Sequence, residues 1–146
     1  MFSYNIIIKP SFKIEKKVVD NIFKIISNIT KKRQEWTLNI VFLDQKSIKN
    51  LNNKYRKKDK VTDVLSFHYF DSFKDLKKED IAWEIVICEE ILISQWKDNL
   101  LWSEKEFYRL LIHSILHIIW YDHETDEEYE LMQSLEDKVW DSLKLD

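Results

Sequence analysis

The chain contains no glycine. Average usage of about 7% would place roughly ten in a chain of this length, and glycine is the residue that adopts positive φ at least cost. Every turn must therefore be made by another residue type, or the sequence as written misreports some positions. A single cysteine, Cys88, excludes an internal disulfide and points to a reducing setting. There is no excess of positive charge: the net charge is -3 and the pI about 5.8, which excludes a surface that coats nucleic acid indiscriminately and leaves room only for local basic clusters. No signal peptide or charge-free apolar run is evident. The longest apolar stretch, LLIHSILHIIW, is too short and too rich in histidine to span a bilayer. The expectation is a cytoplasmic protein with no membrane association. Its 146 residues suit one domain, 1–146, that buries most of its apolar surface around a single core. Against these absences, tryptophan occurs six times.

Periodicity predicts an α+β fold: a single mixed β-sheet of about four strands packed with helices. YNIII reads as a first strand, and IEKKVVDNIFKIISNI as an amphipathic helix with Ile14, Val18, Ile22, Ile25 and Ile29 on one face. TLNIVFL is the second strand, and Asp44 is placed to cap the helix QKSIKNLNNKY. The basic stretch RKKDKVTD leads to a third strand, VLSF; residues 68–81 lack a period and read as an exposed loop before a fourth strand, EIVIC. Ser103 and Glu106 form a capping-box signature ahead of a helix that ends in the histidine-rich stretch. A final helix, from about Glu127 to Leu143, is expected to turn Leu131, Leu135 and Val139 inward.

HSILHIIWYDH, residues 113–123, holds three of the four histidines. His113 and His117 are four apart and share a helical face, so both imidazoles can address one centre. A straight helix would carry His123 about 80 degrees off that face. If the helix stops near Ile119 and the chain turns back, His123 completes three nitrogens around Zn²⁺, one ion per chain, with a fourth position open as in catalytic sites. The competing reading is two histidines at helical spacing plus an unrelated third. Asp122 is either an acidic loop residue or a carboxylate that holds a ligand histidine. The same spacing occurs in metzincin proteases, but Ser114 stands where their general-base glutamate would be, which disfavours a peptidase.

The histidine segment resembles the H-G-x-L-H-L-x-G-Y-D-H signature of the YbeY-type endoribonucleases, keeping the three histidines with Leu116, Tyr121 and Asp122. NNKYRKKDKVTDVLSF, residues 52–67, is similar to that family's N-x-x-Y-R-x-x-D-K-P-T-D-V-L-S-F pattern. The likeness extends through TLNIVFLD and WEIVI to the acidic last helix, covering most of the chain from about residue 36. It implies a zincin-like histidine helix and a zinc-dependent, single-strand-specific endoribonuclease that acts on ribosomal RNA. The implied roles are maturation of the 16S precursor and ribosome quality control, with the small ribosomal subunit as partner.

The resemblance maps a functional arginine onto Arg56, a bidentate donor suited to phosphate oxygens; alone, Arg56 reads equally as a solvated arginine in a basic run. Lys54, Lys57, Lys58 and Lys60 surround it and form either an electrostatic footprint for RNA or a solvated face. Asp63 and Ser66 match the second motif and are expected to hold the loop and short strand beside the site. No residue reads as a convincing general base, which leaves water activated by zinc as the nucleophile candidate. Two rivals remain: a metal-dependent hydrolase of another substrate such as peptide, which would use the same histidines, and a non-catalytic ribosome-assembly RNA binder, which would keep its RNA affinity without the metal.

The departures from the family pattern share a feature. Val61 replaces a proline and Ser114 a glycine, while Trp83 and Trp120 each stand where the family has glycine, and Trp36 precedes a strand where glycine is natural. Some bacterial lineages read UGA as glycine and others as tryptophan. Decoding with the wrong table would account for the missing glycines and surplus tryptophans together.

Overall fold

The structure, a computed structural model, describes residues 3–7, 10, 13–29, 37–56, 64–68, 81–95, 103–119 and 126–145. They form two compact units: a sheet unit from Phe2–Lys13 and Gln34–Ser103, and a helical unit from Ile14–Arg33 and Glu104–Asp146. Among the described residues no helix is long and apolar enough to cross a membrane.

The sheet unit contains β1 (Ser3–Ile7), β2 (Thr37–Leu43), β3 (Val64–His68) and β4 (Ile81–Cys88). They are ordered β1-β2-β4-β3, with β1, β2 and β4 mutually parallel and β3 antiparallel to β4. The mixed four-stranded sheet expected from the sequence is thus present. Parallel strands covered on both faces need nearly continuous apolar runs, which is why TLNIVFL and IAWEIVIC lack strict alternation. Six successive residues of β2, Thr37 to Phe42, are buried. Asp44 caps α2 (Gln45–Arg56): its Oδ1 accepts from the Ser47 N–H at 2.7 Å and its carbonyl from the Ile48 N–H at 3.1 Å. The Ser47 hydrogen bonds hold the Asp44 carboxyl below its ordinary pKa. A short α3 (Glu89–Gln95) follows β4 directly, and Gln45 donates to Glu90 at 3.0 Å.

On one sheet face Val41, Val86, Cys88 and Leu65 pack with Ile48 of α2. Full burial of each such aliphatic side chain contributes about 1.5–3 kcal/mol. Cys88 is wholly buried, and desolvation pushes its thiol pKa up, so it is core rather than a reactive thiol. Where β2 and β4 begin, the same face turns polar. Ser3 and Thr37 hydroxyls lie 2.8 Å apart, Asn5 donates to Asn39 Oδ1 at 3.2 Å, and the Asn39 amide lies 3.5 Å from Glu84. Asn39 is buried, so these partners offset its desolvation.

β4 is three residues longer than its sequence pattern suggests, and Trp83 lies within it rather than before it. Trp83 is buried and paired in register with Leu38 and His68. Lys144, at φ 53°, is the one positive-φ residue among the described residues. Position 83 therefore makes no conformational demand for glycine. Trp36 and Trp120 lie outside the described residues.

The helical unit consists of α1 (Lys16–Ile29), α4 (Ser103–Ile119) and α5 (Asp126–Leu143). The buried stripe of α1 is centred on Val19, Ile22, Phe23 and Ile26, rotated from the face expected; Val18, Ile25 and Ile29 form its half-buried flank. The stripe is centred by Val19 and Phe23, which pure isoleucine spacing ignores. α4 buries Phe107, Tyr108, Leu111, Ile112, Ile115 and Leu116. On α5 the expectation is corrected at one position: Leu131 is 52% exposed, whereas its neighbour Met132 is buried. The inner stripe therefore runs Met132, Glu136, Val139, at helical spacing.

Candidate metal centre

α4 spans Ser103–Ile119, and the turn expected after it lies outside the described residues. A turn of helix brings His113 and His117 onto one face, with ring centroids 4.2 Å apart and planes inclined at 63°. The opposite side of α4 is core, so the histidines occupy a stripe between packed and solvated surfaces. Ser114, beside His113, is buried.

α5 supplies the partner that the motif does not contain. His113 Nδ1 lies 2.8 Å from Glu136 Oε2. One helical turn back along α4 and one forward along α5, the Arg109 guanidinium sits 4.7 Å from the Trp140 ring centroid. These two rungs, 109 with 140 and 113 with 136, make α4 and α5 antiparallel neighbours in this unit. Glu136 was missed from sequence because a carboxylate on an acidic helix reads as solvated. Its signal was its position between Met132 and Val139 on the inward stripe.

His117 has its pKa lowered from the ordinary 6.5: desolvation of the ring is the main cause, and proximity to His113 adds to it, while Glu136 opposes. A ring that resists protonation is ready to donate its lone pair to a metal, because only neutral imidazole ligates. His113 and His117 are thus nitrogen donors of the kind a divalent ion such as zinc takes. Among the described residues no three His, Cys, Asp or Glu side chains group as a complete metal cage. His123, the expected third ligand, and Asp122 lie outside the described residues.

The remaining expected site residues fall in the sheet unit. Arg56 is the last residue of α2, so it ends a helix rather than lying in a loop. Lys54 is exposed on that helix. Ser66 is exposed on the edge strand β3, opposite Ile85. Lys57, Lys58, Lys60 and Asp63 lie outside the described residues.

The described residues combine an α+β fold, a parallel-rich four-stranded sheet and a histidine pair on one face of α4. The model of the family Endoribonuclease YbeY matches residues 7–144. A YbeY endoribonuclease of Thermodesulfovibrio yellowstonii is 36% identical over 144 residues, covering 88% of each chain. One from Phytoplasma australiense is 35% identical over 136 residues, covering 93% of this chain and 92% of its own. The solution structure of TM1509 from Thermotoga maritima is similar with a TM-score of 0.58 and 26% identity, covering 95% of this chain and 90% of that one. The chain belongs to the YbeY endoribonuclease family.

Proposed function

We propose that this protein is a zinc-dependent endoribonuclease that cuts single-stranded RNA within ribosomal RNA. Its work is maturation of the 16S precursor and ribosome quality control in the cytoplasm, with the small ribosomal subunit as partner. The observation that carries the reading is the His113–His117 pair on one face of α4, in a chain whose family is one of endoribonucleases. His113, His117 and His123 would hold one Zn²⁺. Bound there, zinc supplies Lewis acidity and lowers the pKa of water toward about 7.

The chain's own residues bind and orient. Arg56, with two parallel N–H donors, suits two phosphate oxygens and the charge that grows on them as water oxygen joins phosphorus and the P–O bond to the leaving ribose breaks. Lys54, Lys57, Lys58 and Lys60 would draw the strand to an otherwise acidic protein. Asp63 and Ser66 would hold the Arg56 segment, and Asp122 a ligand imidazole.

The test is zinc content by elemental analysis together with cleavage of a single-stranded RNA by wild type, His117→Ala and Arg56→Ala. The reading expects about one zinc per chain in wild type, its loss in His117→Ala and its retention in Arg56→Ala, with cleavage lost in both variants. RNA binding that survives metal removal, without cleavage, would mark an assembly factor instead. Turnover of a peptide but not of RNA would mark another hydrolase.

A further inference from the structure

We propose that Glu136 is a positioning residue for the metal centre: by accepting the Nδ1–H of His113, it commits that imidazole to presenting Nε2 to the metal. The inference rests on the reading of His113 as a ligand, but the bond itself can be tested without metal.

The geometry is a carboxylate oxygen 2.8 Å from one ring nitrogen. A carboxylate can only accept, so the proton between them belongs to Nδ1. In a neutral imidazole one nitrogen carries the proton and the other the lone pair. Fixing the proton on Nδ1 fixes the lone pair on Nε2, and also the plane of the ring. A metal held by a histidine pair on one helix needs both conditions before it arrives.

A role in stability alone explains the pair poorly. The His113 side chain is 44% exposed and that of Glu136 22%, and contacts of this kind at half-open sites contribute about 0–1 kcal/mol. Such a site on an inward stripe is where an aliphatic residue would stabilise the fold more. What a carboxylate adds there is orientation. The Arg109–Trp140 contact one turn away is a second tie between α4 and α5, next to Glu136. The site is thus assembled from two helices, and the histidine motif on α4 holds only part of it.

The experiment uses the full chain, metal-free, with nitrogen-15-labelled histidine. Long-range proton–nitrogen correlation spectra read the tautomer of His113 directly. The expected result is an Nδ1–H tautomer in wild type that is lost in Glu136→Ala and kept in Glu136→Gln, whose amide oxygen still accepts. Zinc alone is then titrated against a chromophoric chelator. Affinity should fall about 10–100-fold in Glu136→Ala and less in Glu136→Gln, while Asp137→Ala, an exposed neighbour on the same helix, stays within about twofold of wild type. Circular dichroism of each variant establishes that α5 is retained.

An Nε2–H tautomer in wild type would overturn the proposal, as would a Glu136→Ala affinity equal to wild type. Equal losses in the Ala and Gln variants would make Glu136 a ligand through its charge and overturn the positioning role. If wild type binds no zinc, the proposed function fails, and the tautomer measurement still decides whether Glu136 commits His113.

Discussion

The backbone N–H of Glu15, at the foot of α1, donates to the Tyr108 hydroxyl on α4 at 2.9 Å across 93 residues of sequence. The same hydroxyl donates to Glu104 on its own helix. Tyr108 is fully buried, so a single oxygen satisfies one N–H at the start of one helix and ties that helix to another. Tyr108→Phe removes both bonds and leaves the Glu15 N–H without its acceptor. The expected cost is about 1–3 kcal/mol, read as a lowered denaturant midpoint at unchanged slope.

Burial, followed by the bond to Glu104, raises the Tyr108 pKa well above its ordinary 10.0. The native state keeps this proton where the unfolded chain releases it. Stability therefore holds below pH about 10 and declines as pH rises beyond it. Denaturant titrations between pH 8 and about 11 should show a steeper alkaline loss in wild type than in Tyr108→Phe.

His117 gives the opposite sign at the other end of the scale. Its pKa lies below the ordinary 6.5, so the unfolded chain takes up a proton that the native ring resists. For the metal-free chain this contribution to stability is complete above pH about 6.5 and is lost as pH falls below it. His117→Gln should flatten that part of the profile. An unchanged slope between pH 7 and about 5 would remove His117 as its source.

Trp83 is buried inside β4, in register with Leu38 and His68 of the neighbouring strands. Trp83→Gly empties that volume and loosens the strand, at an expected cost of about 3–5 kcal/mol. A gain in thermal midpoint would instead show that glycine is the native residue, as the recoding idea requires. The codon at position 83 then provides an independent check: TGG identifies tryptophan under either code.

If Lys54, Lys57, Lys58 and Lys60 contact phosphate, replacing each by Ala should reduce the slope of log affinity against log salt for single-stranded RNA by about 0.7. Zinc content should stay at the wild-type level. A slope unchanged in all four would leave them as a solvated face.

Local signals were legible in the sequence. Asp44 as a helix cap, the shared face of His113 and His117 and the mixed sheet depend on neighbours within a few residues or on unbroken apolar runs. What failed depends on which element lies opposite. Leu131 and Met132 are equally apolar letters, and only the neighbours of α5 decide that Met132 is the one buried. The same misplacement hid Glu136, because a face drawn through Leu131 and Leu135 leaves it to one side. Trp83 misled for a different reason: read as a stand-in for a turn glycine, it is a strand residue whose side chain fills core. The motif singled out Arg56 without showing that it lies in α2.

The helical unit takes α1 from one side of the sheet unit's main sequence and α4 and α5 from the other. On a translating ribosome α1 must wait while Gln34–Ser103 is made, about 4–14 s at ordinary elongation rates. His113 and His117 then emerge before Glu136. A chain cut off by a stalled ribosome between α4 and α5 would carry the histidine pair but lack the carboxylate against it. If His113 ligates a metal, such a fragment would hold that metal less tightly than the finished chain.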